Sequence, residues 1–204
     1  MTTDITLDEH TSDLTALLGS RICHDLISPI GAIANGVELL AMSGQAGGPE
    51  VALISQSVAA ANARIRFFRI AFGLTAAGQR IGLAELLAIT DDMSRGSRTT
   101  IGWSGPSDLP RDMAKAVFLA LLCLETAMPW GGQVQVTLRQ DGWSVTGQST
   151  RLKMDTTLWQ RLTVTGGGAL AAAHVQFALL SDAARRQGRM LQLVTGDERI
   201  TLSV

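Results

Sequence analysis

Two long helical runs, residues 14–42 and 50–77, flank the break Ser43-Gly44-Gln45-Ala46-Gly47-Gly48-Pro49, and this arrangement constrains the fold more than any other feature of the chain. In the second run Val51, Ile54, Val58, Ala61, Ile65, Phe68 and Phe72 recur at alternating three- and four-residue spacings, the seam of a helix packed in a bundle. In the first, at ~100° per residue, Leu18, Ile22, Leu26, Ile33, Val37 and Leu40 fall on one stripe, joined by Pro29 and Ile30. Pro49 suits the first position of a helix, so the pair reads as an antiparallel helical hairpin over 14–78, preceded by a flexible tail, 1–13. A hairpin with an apolar stripe on each helix cannot cover both alone. Two copies joined as a four-helix bundle solve this economically, so a homodimer is expected; the competing arrangement packs the hairpin only against the rest of its own chain.

His24 lies roughly opposite the apolar stripe, sharing its face with Ser20, Ser28, Gly31, Asn35 and Glu38. An imidazole on such an exposed, small and polar face keeps a nitrogen open to act as a nucleophile, and Gly31 lets a docking partner approach the backbone closely. Asp25, next in sequence, can hydrogen-bond the ring and set its tautomer. Pro29 removes one backbone donor and is expected to bend the helix just after the histidine. The bland alternative is a solvated histidine beside an ordinary solvated acid.

With 204 residues, 46% hydrophobic and 17% charged, the chain can bury a proper core. A net charge of −1 and no Lys/Arg run argue against nucleic acid or an anionic membrane as partner. Residues 1–13 lack an apolar signal-like stretch, and no apolar run is expected to reach the ~18 residues of a spanning helix, so a cytoplasmic protein is expected. Cys23 and Cys123 sit in apolar helical runs without metal-ligand spacing and read as buried free thiols.

Beyond residue 79 helices alternate with short strands. The pattern predicts helices over 82–93, 111–128, 156–162 and from the glycine stretch 166–168 through 187. It predicts strands over 99–103, 133–140, 143–148, 190–194 and 199–204, the middle pair turning at Asp141-Gly142. The expected fold class is therefore α+β: the hairpin, then an α/β sandwich with a largely antiparallel sheet over 79–204. Trp103, Trp130, Trp143 and Trp159 read as core and hairpin aromatics, and His174 as structural.

The stretch Arg21-Ile22-Cys23-His24-Asp25-Leu26-Ile27-Ser28-Pro29 resembles the H-box of sensor histidine kinases, with Ile27 at the position that is usually basic. With its continuation Gly31-Ala32-Ile33-Ala34-Asn35-Gly36-Val37-Glu38-Leu39-Leu40, it is similar to the ChpT-type histidine phosphotransferases. The order of elements after residue 79 likewise resembles the Bergerat-like ATP-binding domain of the kinases, but the nucleotide site reads as degenerate. Where kinases carry a magnesium-holding asparagine stands Leu122-Cys123-Leu124-Glu125-Thr126-Ala127, and their Asp-x-Gly adenine motif is replaced by Thr146-Gly147-Gln148. Gly166-Gly167-Gly168 is all that remains of a glycine-rich lid.

The resemblance implies a relay without ATP or any cofactor on this chain. His24 would carry the phosphoryl group and Asp25 would orient it. Ser20, Arg21, Ile27, Ser28, Gly31 and Asn35 would border a receiver-docking face. Arg151 and Lys153, alternating around Leu152 just beyond the 133–148 hairpin, read either as a basic edge for an acidic receiver surface or as two solvated charges. The implied partners are the receiver domain of a hybrid histidine kinase and that of a response regulator, with magnesium on the receiver. An ATP-dependent sensor kinase, or a non-catalytic receiver-binding scaffold or antikinase, would share much of the same pattern.

Overall fold

The computed structural model describes residues 9–43, 49–163 and 170–204; the glycine lid and most of the N-terminal tail and hairpin break lie outside them. Helix α1 (Glu9–Ser43) and helix α2 (Pro49–Ala71) form the expected antiparallel hairpin. They meet closely at Gly36, where a Cβ would stand 2.6 Å from Ile54 Cγ1, so only glycine lets the axes approach this far. The seam expected along α2 splits in two: Ala61 and Phe68 are buried and Ile54 is half-buried, whereas Val51, Val58 and Ile65 lie open. On α1, Ile30 and Val37 are open as well.

Leu14–Met42 is long and apolar enough, by length and composition, to cross a membrane, contrary to the expectation that no run reaches that size. A spanning orientation would carry Arg21 and Asp25 into lipid at about 2.5–3.5 kcal/mol each. Here they bond to each other.

Helix α2 stops at Ala71 rather than continuing to 77. Its last carbonyls are taken by side chains of a later helix: Arg111 donates from Nη2 to Arg69 O at 2.7 Å and from Nη1 to Ile70 O at 3.2 Å, and Lys115 Nζ donates to Gly73 O at 3.0 Å. Cations at a helix C-terminus satisfy carbonyls left without intrahelical partners. Burial pulls both Arg111 and Lys115 below their usual pKa, with neighbouring arginines adding to the effect and Glu85 and Asp182 opposing it. Losing charged hydrogen bonds to buried carbonyls costs about 3 kcal/mol. Arg111→Ala is therefore expected to lower the melting temperature by roughly 6–12 °C for a chain of this size, measured by circular dichroism.

The second domain follows as β1 (Arg80–Gly82), α3 (Leu83–Ser94), β2 (Thr99–Ser104), β3 (Asp108–Pro110), α4 (Arg111–Ala127), β4 (Gly132–Arg139), β5 (Gly142–Gln148), α5 (Thr156–Gln160), a 3-10 turn (Ala172–His174), α6 (Val175–Arg186), β6 (Gln192–Thr195) and β7 (Arg199–Ser203). The main sheet has the order β2-β4-β5-β7-β6 and is antiparallel except for the β2–β4 pair, while β1 and β3 form a separate two-stranded ribbon. The sheet turns one face to α4, the most buried helix, whose Val117, Phe118, Leu119, Leu122 and Leu124 are fully enclosed. On that face Val136 pairs with Val145 and Val145 with Leu202, the alternation a half-buried sheet requires. Gly147 admits Met128 and Leu124 against the sheet, where a Cβ would lie 2.6 Å from Met128 Sδ.

Several expectations need correction. The β4–β5 hairpin pairs Arg139 with Gly142, so its turn is Gln140-Asp141; Gly142 is needed because the Val204 carbonyl crosses where its Cβ would sit. Trp143 and Trp159 are core residues and Trp103 is half-buried, but Trp130 is exposed, with the Arg151 guanidinium 4.0 Å from its ring centroid. Cys123 is buried, which pushes its thiol pKa well up, but Cys23 is exposed because it lies beyond the stripe that α2 covers.

Candidate functional site

Helix α1 presents His24 outward with 84% of its side chain exposed, while Asp25, the next residue, is only 8% exposed. A turn of 100° per residue allows adjacent side chains to face solvent and protein respectively. The imidazole Nδ1 stands 3.2 Å from Asp25 Oδ1. Ser20, Ile27, Ser28, Gly31 and Asn35 are exposed along the same helix, and open space surrounds Gly31, where a Cβ would meet nothing within 4 Å.

The other carboxylate oxygen of Asp25 is held from two directions. Arg21 Nε, one turn earlier on α1, donates to Oδ2 at 3.0 Å, and Arg64 Nη2, from α2, lies 3.1 Å from the same atom. Arg64 also contacts Glu125 of α4 at 3.3 Å and lies over the Phe68 ring, 5.5 Å from its centroid. Arg21 donates a further hydrogen bond from Nη1 to the Ala173 carbonyl in the 3-10 turn. One buried carboxylate thus ties together α1, α2 and, through its two arginines, α4 and the turn before α6.

Sequence reading placed Arg21 on the docking edge; the structure turns its side chain inward, to Asp25 and Ala173. Arg64 was not singled out at all. The signal for it is a set of arginines, Arg64, Arg66 and Arg69, in the last part of α2; choosing the partner of Asp25 among them requires the rotational phase of α2 against α1. Arg66 instead pairs with Asp92 at 2.7 Å, and Arg69 offers its carbonyl to Arg111. Arg151 and Lys153 are exposed in the segment before α5, Arg151 on Trp130 and Lys153 held through its backbone N–H on Ala127 O at 2.8 Å.

His174 occupies the turn that receives Arg21, with its ring edge-on to Phe177. Burial holds its pKa below the ordinary value of 6.5, with the positive charges of Arg21 and Lys153 adding to the effect and Asp155 opposing it. As pH falls through 6.5 the unfolded chain takes up a proton that the folded chain resists, so folded stability declines and levels off only below the depressed folded value. Wild-type protein is expected to lose more thermal stability between about pH 7 and pH 5 than His174→Gln, read as the difference between their melting-temperature profiles.

Among the described residues no His, Cys, Asp and Glu side chains gather in a group of three that could hold a metal ion. Glu125, expected from the sequence at the place of the kinase asparagine, is paired with Arg64.

A family model for the histidine phosphotransferase C-terminal domain matches residues 83–199. The chain is 42% identical over 128 residues to the protein phosphotransferase ChpT of Brucella abortus (strain 2308), a stretch spanning 62% of this chain and 61% of that protein. A bacterial phosphotransferase solved at 1.7 Å is 32% identical and superposes with a TM-score of 0.80, covering 99% of both chains.

Proposed function

The chain belongs to the histidine phosphotransferase family, and on that premise we propose that it relays phosphoryl groups between receiver-domain aspartates through phosphohistidine at His24. The observation that carries this reading is the pairing of an 84% exposed imidazole with a nearly buried carboxylate 3.2 Å from its Nδ1. A carboxylate accepts, so Nδ1 donates its proton and the Nε2 lone pair is left free for attack. The phosphoryl group moves as the N–P bond forms and the P–O bond to the donor aspartate breaks, the electron pair leaving on the aspartate oxygen. The Nδ1–H stays between ring and Asp25 Oδ1, and the carboxylate opposes the positive charge that develops on the ring. Such a step needs positioning rather than a nucleotide, and magnesium belongs to the receiver.

Receivers dock along the exposed strip of α1 bearing Ser20, Ile27, Ser28, Gly31 and Asn35, with Arg151 and Lys153 as a basic edge for an acidic receiver surface. The donor is the receiver of a hybrid histidine kinase and the acceptor that of a response regulator, in the cytoplasm. A homodimer joined through the open apolar residues of the hairpin completes the arrangement.

Operation without ATP is supported by what fills the place of a nucleotide. At the place read as that of the kinase asparagine stands Glu125, a carboxylate whose Oε1 lies 3.3 Å from Arg64 Nη2. Thr146 bonds Thr201 across the sheet at 3.0 Å, in the stretch where an adenine-binding carboxylate would be expected. The test is incubation with a phosphorylated hybrid kinase or with labelled ATP alone. Label arriving only from the kinase supports the relay; label from ATP alone would make the protein a kinase.

A further inference from the structure

We propose that Arg64 is a positioning residue for phosphoryl transfer at His24, an inference that rests on the relay reading of that histidine. Asp25 has two oxygens and must offer one of them to the imidazole. Arg21 Nε at 3.0 Å and Arg64 Nη2 at 3.1 Å both take Oδ2, which leaves Oδ1 facing Nδ1 at 3.2 Å. With either oxygen free to rotate into place, the carboxylate would have no fixed direction from which to bind the ring. A guanidinium offers several N–H donors in a rigid plane, so Arg64 can hold Asp25 and Glu125 together, the latter at 3.3 Å. Its contact with the Phe68 ring restricts the plane further.

The two arginines are not equivalent. Arg21 belongs to the same helix as the histidine, so its bond to Asp25 is local, and it ties that helix to the turn before α6 through the Ala173 carbonyl. Arg64 comes from α2 and reaches on to α4, so it references the Asp25 carboxylate to the second helix of the hairpin and to α4.

The consequence is a tautomer bias. Free neutral imidazole in a peptide carries its proton mainly on Nε2; the fixed Asp25 oxygen draws it to Nδ1 and frees Nε2 for attack. Loss of Arg64 leaves Asp25 with one cation and a mobile second oxygen, so the bias weakens while the nucleophile itself remains in place.

The experiment uses the full chain labelled with ¹⁵N in its histidines, of which there are three, with His24 identified by the signals lost in His24→Ala. Nitrogen shifts report the share of the Nδ1–H form. Phosphoramidate serves as a small phosphoryl donor: its P–N bond breaks, ammonia leaves and the new N–P bond forms at the ring, with no receiver required. Arg64→Gln is expected to lower the Nδ1–H share and to slow phosphorylation about tenfold or more, with helicity unchanged by circular dichroism. Arg64→Lys, which keeps one cationic contact to Asp25, should recover part of both. An unchanged tautomer ratio and rate in a folded Arg64→Gln protein would overturn the proposal while leaving the relay standing. Wild-type protein that phosphoramidate cannot phosphorylate would instead overturn the relay reading, and the tautomer shift would then still decide whether Arg64 positions Asp25. If Arg64→Gln fails to fold, Arg64→Lys carries the same two readouts against wild type.

Discussion

His24→Ala is expected to accept no phosphoryl group from a phosphorylated receiver, a loss beyond about a thousandfold, while folding as the wild type does. Among the described residues nothing near the histidine can take its place. Ser20 and Ser28 are exposed hydroxyls with no base placed to deprotonate them, and the Cys23 thiol, also exposed, points to a different sector of the helix. His174 lies in another element, partly buried against Phe177. Stability should hardly change, because the side chain removed is exposed, and alanine is a better helix former than histidine by about 0.5 kcal/mol. The measurement is the time course of label on both proteins, beside their thermal melts. Equal labelling would place the phosphoryl group on another residue. Retained receiver binding by the unlabelled variant would show that docking and chemistry are separable on α1.

The variant also separates two properties that the sequence makes legible to different degrees. That His24 faces solvent follows from helical period alone, since its angular position relative to Leu18, Ile22 and Leu26 is set by local geometry. That Asp25 is nearly buried does not follow, because its cover comes from Arg64, whose distance in sequence says nothing about the phase in which two helices meet. Long periodic segments such as α1, α2 and α4 were legible for the same local reason. The ribbon of β1 and β3 was not: each strand has only three residues, too few for a period to register, and their pairing is closed by an Arg80–Asp108 contact between distant positions. The end of α2 was misjudged by six residues because Arg111, 40 positions beyond Ala71, captures its carbonyls. The single seam read along α2 is two surfaces for a related reason. A heptad repeat gives the spacing of apolar residues but not which of them a neighbouring element reaches, and of that seam only Ala61 and Phe68 are buried.

The line left open leads to the second large effect: Val58→Glu should turn a dimer into a monomer. Val51, Val58 and Ile65 recur every seven residues and remain 37%, 41% and 45% exposed, and Ile30 and Val37, also seven apart, remain 56% and 53% exposed. Such repeating apolar residues on both helices are what a partner hairpin buries in a four-helix bundle. A twofold interface doubles any substitution, so Val58→Glu would place two carboxylates into one apolar seam, each losing its hydration without a cation to replace it. A cost of about 4 kcal/mol for the pair raises the dissociation constant roughly a thousandfold. Light scattering on a sizing column, at micromolar protein, should give the dimer mass for wild type and the monomer mass for the variant, with the same helicity. A wild-type monomer would mean that these residues stay open in solution and that the hairpin is supported only by its own second domain. Phosphoramidate labelling of monomeric Val58→Glu then separates assembly from chemistry. His24, Asp25, Arg21 and Arg64 all come from one chain, so the variant should still be labelled at His24 even when it no longer pairs.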